Sequence, residues 1–384
     1  MKISINKMAE MIEVPGIRKF SNKLVDYPNA VNLTIGQPDF PTPELVKKAG
    51  IKAIENNETG YSHNAGLLDL RKAVSLFFKD CYGFYYNPEH EIVITNGASE
   101  AIDSTFRTIL SPGDEVILPT PIYLGYAPII EMCGAKVVYL DTTDTGFTPS
   151  PQRLKSLITA KTKAVLFNFP SNPTGMTIEK EQMDELVAVL EQHEIFILSD
   201  EIYSENTFTG EHVSFGQYEV IRDRLFLIHG LSKSHSMTGW RIGYVLGPKE
   251  YMAHVLKVHL YNSVCASLPS QHAAIVALNE CRHTPEEMNV EYMRRRDFVY
   301  NRLVKMGLDV IKPNGAFYIF PSIAKYGMDS YSFATKLLKE GGVAAVPGSA
   351  FSTYGEGYLR ISYAYAMPVL EEGMDRLEKF LQQF

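Results

Sequence analysis

The sequence predicts an α/β protein, with a mainly parallel, seven-stranded sheet flanked by helices and a smaller α+β lobe beside it. Three observations carry this expectation. Short apolar runs recur at residues 92–94, 116–118, 137–140, 164–167, 195–198, 225–228 and 242–246. Longer stretches with helical spacing, such as 179–192, separate them, and this alternation marks strands buried on both faces of a sheet. The chain has 384 residues, 45% of them hydrophobic, more than one core comfortably holds, so two lobes are expected. The pattern then changes over the last hundred residues or so. Residues 36–284 are accordingly assigned to a large lobe, and residues 1–35 and 285–384 to a small one with an N-terminal arm.

Taken in order, a short helix over 7–12 and a turn at Pro15-Gly16 lead into an extended segment at 31–35. Three prolines between Gly36 and Pro43 exclude regular structure there, leaving a rigid loop or a stiff linker. Apolar spacing at Leu45, Val46, Ala49, Ala53 and Ile54 predicts a helix over 44–56. The glycine-bearing loop 59–66 holds Tyr61, which by residue type alone is a packed ring.

The residues that follow the strands carry the chemistry, because ligands of parallel sheets bind outside the carboxyl ends of the strands. Asn96-Gly97-Ala98-Ser99 opens a helix, and free amides at a helix start suit an anion. Asn168 and Asn172 follow the fourth run, Asp200 and Tyr203 the fifth, and Ser232 and Lys233 the sixth. The connection 232–240 spans nine residues, too short for a parallel crossover, so the seventh strand returns antiparallel and brings Arg241 to the same rim. Each group alone reads as a turn or a cap. Together, an amine, a guanidinium, a hydroxyl, a carboxylate with a phenol and an amide nest suit a phosphorylated aldehyde such as pyridoxal phosphate.

Beyond residue 248, amphipathic stretches at 248–279 and 286–306 precede strands near Val310 and at 316–320. The chain then passes Val346-Pro347-Gly348-Ser349 to a strand at 358–363 and a closing helix at 369–384. Arg360 sits alone among apolar neighbours in that last strand. A buried arginine needs a carboxylate, from a substrate or from the protein itself.

The segment Ser232-Lys233-Ser234-His235-Ser236-Met237-Thr238-Gly239-Trp240-Arg241-Ile242-Gly243 resembles the cofactor-lysine signature of the class I aminotransferases, pyridoxal-phosphate enzymes of fold type I. The similarity runs over nearly the whole chain and is strongest to the bacterial N-acetyl-LL-diaminopimelate aminotransferase kind. The resemblance implies that Lys233 binds the cofactor covalently and acts as the catalytic base, with Asp200 against the pyridine nitrogen. It also implies that Tyr203 and Asn172 face the cofactor 3′-oxygen and that Tyr123 stacks on its ring. Ala98, Ser99, Ser232 and Arg241 would hold the phosphate, joined by Tyr61 from the other subunit of a homodimer with shared active sites. Gly36, Asn172 and Arg360 would bind the substrate, Arg360 through its α-carboxylate. The implied substrates are an amino acid and a 2-oxo acid, with glutamate and 2-oxoglutarate as one pair and a role in lysine biosynthesis. Aspartate or aromatic transamination and carbon–sulfur β-elimination are the rivals on the same fold. Residues near Ile17, Tyr123 and Asn262 would decide among them. A cofactor-binding regulator is disfavoured, since about 35 residues precede Gly36, too few for a winged helix.

Composition narrows the partners. The net charge is −7 and no basic block exceeds Arg294-Arg295-Arg296, so nucleic acid is not expected. Cys81, Cys133, Cys265 and Cys281 form no Cys-x-x-Cys pair, and neither zinc nor a disulfide framework is expected. The spacing of His254 and His259, and of His193-Glu194, gives no metal site. His235 is expected to serve structure or the cofactor loop. No apolar run reaches membrane length and the N-terminus lacks a signal-peptide core, so a cytoplasmic protein is expected.

Overall fold

The computed structural model describes residues 3–12 and 24–384. The predicted Pro15-Gly16 turn and Ile17 lie outside the described residues. A short strand, β1 (Val31–Asn32), precedes the seven that form the main sheet: β2 (Ile92–Thr95), β3 (Glu115–Thr120), β4 (Lys136–Asp141), β5 (Thr162–Asn168), β6 (Phe196–Asp200), β7 (Leu225–Gly230) and β8 (Gly243–Leu246). Their spatial order is β2-β8-β7-β6-β5-β3-β4. Within this sheet only β8 runs antiparallel to its neighbours, as the short connection from β7 requires.

The two-residue period of a strand is visible in what each face buries. Ile92, Ile94, Ile117, Val165, Phe167, Leu225, Leu227, Tyr244 and Leu246 belong to one core. The helices Leu68–Tyr82, Lys180–Glu191 and Leu268–Glu280 cover it. Val93, Val116, Leu118, Ala164, Leu166, Phe226, Ile228 and Val245 belong to the other. There the covering helices are Ala98–Ile109, Tyr126–Met132 and Lys249–Ser263. Each large side chain withdrawn from water this way contributes about 1.5–3 kcal/mol. The strands are apolar throughout because neither face meets solvent.

A third core gathers Val31 and Leu33 with the helices Thr284–Lys305, Ser330–Lys336 and Met367–Leu381. Its strands are β9 (Tyr318–Ile319), β10 (Val343–Ala344), β11 (Val346–Pro347) and β12 (Leu359–Ser362). They form an antiparallel sheet β11-β12-β9 and a parallel pair β1-β10. Ile202 and Tyr203, just past β6, are packed into this third core.

Some local expectations change. The helix Leu68–Tyr82 was not read from the sequence, although its buried face is regular: Leu70, Ala73, Val74, Phe77 and Phe78. The stretch 248–279 is two helices, broken at Val264, whose φ of +65° is unusual for a β-branched residue. The Val264 carbonyl accepts a hydrogen bond from Asn64 Nδ2 at 2.9 Å. No strand forms at Val310. Of the extended segment 31–35, only β1 is a strand, although the Leu33 amide still donates to the Ala344 carbonyl at 2.9 Å.

Candidate active site

Eleven of the twelve residues predicted for the site line one cavity of about 470 Å³ at the carboxyl ends of β5, β6 and β7, facing the third core. They are Gly36, Ala98, Ser99, Tyr123, Asn172, Asp200, Tyr203, Ser232, Lys233, Arg241 and Arg360. The twelfth, Tyr61, is 85% exposed and lies outside it. Asn262 is also outside, on the surface, where its Nδ2 donates to Asp103 Oδ2 at 3.1 Å. A larger groove of about 740 Å³, beside β2, holds none of the predicted residues.

Lys233 is half-buried and its Nζ donates to the Gly36 carbonyl at 2.7 Å. Burial, and then the cations Arg360 and Arg241, lower its pKa to about 8, close to where an amine serves as a base at neutral pH. Asp200 ends β6 and is buried. Tyr126 Oη donates to its Oδ2 at 2.6 Å and the Ile202 amide to its Oδ1 at 3.1 Å. Burial nevertheless raises its pKa to about 6, outweighing those hydrogen bonds. Tyr126 was missed from sequence; Asn168, noted after the fourth run but given no role of its own, donates through Nδ2 to the Asp200 carbonyl and accepts at Oδ1 from the Asn172 amide.

The amide nest is made by close packing. Gly97 has φ +81°, and a Cβ there would lie 2.4 Å from Arg241 Nη2. A Cβ on Gly243 would lie 2.5 Å from the Ala98 amide nitrogen. Two glycines thus let β8, Arg241 and the helix Ala98–Ile109 converge, and that helix opens without a side-chain cap. Arg241 itself has φ +51°, just before β8 rather than in it, and its guanidinium donates to the Thr238 and Asn96 carbonyls. Ser232 lines the same wall.

Arg360, on β12, is buried. Its Nη1 donates to Asn172 Oδ1 at 3.0 Å, its Nη2 to the Thr34 carbonyl, and its Nε has no partner. Its guanidinium lies over the rings of Tyr318 and Phe351, at 4.5 and 5.0 Å. No carboxylate among the described residues pairs with it, so the alternative of an ion pair within the protein does not hold. A buried guanidinium with an orphan donor beside an open cavity is built for an anion from outside.

A family model, aminotransferase class I and II, matches residues 28–377. The chain belongs to the class I and II aminotransferases. It is 54% identical, over 99% of its length and 96% of the relative's, to the probable N-acetyl-LL-diaminopimelate aminotransferase of Bacillus subtilis (strain 168). Identity to aromatic-amino-acid aminotransferase 2 of Thermococcus litoralis is 38%, over 99% of each chain. The crystal structure of Pyrococcus protein-A1 superposes with a TM-score of 0.96 at 38% identity, covering 98% of each chain. This aminotransferase has the fold type I architecture and depends on pyridoxal 5′-phosphate.

The aminotransferase cavity fits that cofactor on its own chemistry. An uncapped helix start with Arg241 and Ser232 matches a phosphate. The buried Asp200 carboxylate lacks a strong cationic partner, which a protonated pyridine nitrogen would supply. Among the described residues, Lys233 is the one amine on the wall.

The raised Asp200 pKa has a consequence for the cofactor-free aminotransferase. Its native state holds the proton more tightly than the unfolded chain, so stability is lost as pH rises from about 4 through 6 and stays lost above. The gap between about 6 and the ordinary 3.8 corresponds to ~3 kcal/mol. Asp200→Asn, which still accepts from Tyr126, is therefore expected to raise the thermal midpoint of the cofactor-free protein at pH 7. The advantage should shrink as pH falls toward ~4. A midpoint equal to or below that of the wild type at pH 7 would contradict the strain assigned to this carboxylate.

Proposed function

We propose that this aminotransferase exchanges an amino group between N-acetyl-LL-diaminopimelate and the 2-oxoglutarate/glutamate pair, in a ping-pong cycle serving lysine biosynthesis. The substrate assignment is supported by the 54% identity to the Bacillus subtilis relative, against 38% to the aromatic enzyme. The observation that carries the site reading is Arg360, a buried cation without a protein carboxylate, sharing one cavity with Lys233 and Asp200.

In this reading the cofactor, when bound, supplies an aldehyde for the amine and a ring that accepts the electron pair released at the substrate Cα. Arg360 grips the α-carboxylate through the edge that carries its orphan Nε, while Asn172 and the Thr34 carbonyl fix its plane. Lys233 would hold the cofactor through its aldehyde and, as an amine of lowered pKa, would move the proton at the substrate Cα. Asp200, fixed by Tyr126 and the Ile202 amide, keeps the proton on the pyridine nitrogen. Tyr203, Asn172 and Tyr123 line the cavity where they would hold the cofactor ring, and Ala98, Ser99, Ser232 and Arg241 would hold its phosphate. The Gly36 loop closes the substrate side.

The assembly is a homodimer in which the exposed Tyr61 reaches the phosphate of the neighbouring subunit. Residues 36–284 form the large lobe, and residues 1–35 with 285–384 the small one. The enzyme works in the cytoplasm, and its four free cysteines suit that reducing compartment. No helix among the described residues is long and apolar enough to cross a membrane.

A half-reaction screen tests the substrate. The yellow enzyme is mixed with single amino acids and loss of the long-wavelength cofactor band is followed. N-acetyl-LL-diaminopimelate and glutamate are expected to bleach it fastest. Faster bleaching by aspartate or an aromatic amino acid would reassign the substrate while leaving the chemistry intact.

A further inference from the structure

Tyr318 was not singled out from the sequence, yet it touches three of the groups placed above. It sits on β9, opposite Ser362 of β12, so Arg360, two residues away on the same face, is its diagonal neighbour. Its ring lies under the Arg360 guanidinium at 4.5 Å. Its hydroxyl lies 2.7 Å from the Tyr203 hydroxyl, and the two rings meet edge to face at 5.8 Å. Both tyrosines are buried. The loop makes room for this hydroxyl with a glycine, since a Cβ on Gly36 would lie 2.0 Å from Tyr318 Oη.

We propose that Tyr318 is a positioning residue that ties the carboxylate-binding Arg360 to the cofactor-facing Tyr203. The inference rests on the roles given to Arg360 and Tyr203 under the proposed function. Each phenol has one proton. Tyr203 can donate to a cofactor oxygen only if Tyr318 is the donor between the two hydroxyls. The Arg360 cation against the Tyr318 ring favours that direction, because it draws electrons from the phenol and makes its O–H the better donor. A hydroxyl that accepts one hydrogen bond donates a stronger one, so Tyr318 sharpens the bond Tyr203 makes. The ionisable groups facing the pair are Arg360 on β12, Asp200 at the end of β6, Tyr123, and Lys233, whose Nζ lies 5.7 Å from the Tyr203 ring centre.

The two halves of the tie separate by substitution. Tyr318→Phe removes the hydroxyl and keeps the ring under Arg360, whereas Tyr318→Leu removes both. The readouts are the pH midpoint of the colour change of the bound cofactor, which needs no turnover, and KM for glutamate. Tyr203→Phe is the reference. A donor to the cofactor oxygen makes the neighbouring nitrogen easier to deprotonate, so losing that donor raises the midpoint. Tyr318→Phe is expected to raise it by a fraction of the Tyr203→Phe shift, with KM within about twofold of wild type. Tyr318→Leu is expected to raise it similarly and to raise KM about tenfold, because Arg360 loses its platform. A Tyr318→Phe midpoint equal to wild type, or a Tyr318→Phe KM as high as that of Tyr318→Leu, would overturn the inference alone. A wild-type protein that takes no colour, or a Tyr203→Phe midpoint that does not move, would overturn the site reading and this inference with it.

Discussion

Replacing Lys233 with alanine is expected to cut transamination by ~10⁴-fold or more, since both the covalent attachment and the general base are lost together. Lys233 is the one amine on the cavity wall among the described residues, and burial with two neighbouring cations brings its pKa to about 8. No other group there can both condense with an aldehyde and accept a proton near neutral pH. The phosphate wall does not depend on it, because Arg241 is held by the Thr238 and Asn96 carbonyls and the helix Ala98–Ile109 starts on the Gly97 turn. The variant should therefore still bind pyridoxal phosphate in equilibrium dialysis, while borohydride, which fixes the cofactor to wild type, should fix none. Unchanged turnover, or borohydride labelling of another lysine, would remove residue 233 from the centre of the mechanism.

The sequence made the main sheet and most of one rim of the cavity legible because both depend on local order. A strand buried on two faces is apolar without interruption, and the residue after such a strand is at the sheet edge wherever the strand lies in the order. Asp200, Lys233 and the Gly97 turn were found on that rule. Arg360 was found by a different one, a lone charge in an apolar strand. What was missed has no local signature. Tyr126 reaches Asp200 across 74 positions, and Tyr318 reaches Tyr203 across 115. Both are aromatic residues among many, and only the closed fold shows which hydroxyls point into the cavity. The break at Val264 was hidden for a related reason. Nothing in that residue type favours a positive φ, and it is held by a tertiary contact from Asn64. Tyr61 stands at the limit of a single chain, because the role proposed for it is played in another subunit.

Arg360→Ala should give the second-largest loss, a rise in KM for amino acids of about 10²- to 10³-fold, or ~3–4 kcal/mol, within the range for stripping one partner from a buried charge pair. Arg360→Lys should recover little of it. An ammonium cannot make two parallel bonds to a carboxylate, nor replace the planar guanidinium over the Tyr318 and Phe351 rings. Part of the effect will fall on Lys233. Arg360 is the larger of the two cationic influences that hold the lysine pKa down, so its removal should move the alkaline rise of kcat to higher pH. Substrate choice separates the two contributions. An amine that lacks the α-carboxylate cannot use Arg360, and its kcat/KM should change only through Lys233. The preference of wild type for an amino acid over its decarboxylated amine should therefore collapse in Arg360→Ala. If that preference survives intact, the carboxylate is bound elsewhere, and the orphan Nε of Arg360 has some other partner in the working enzyme.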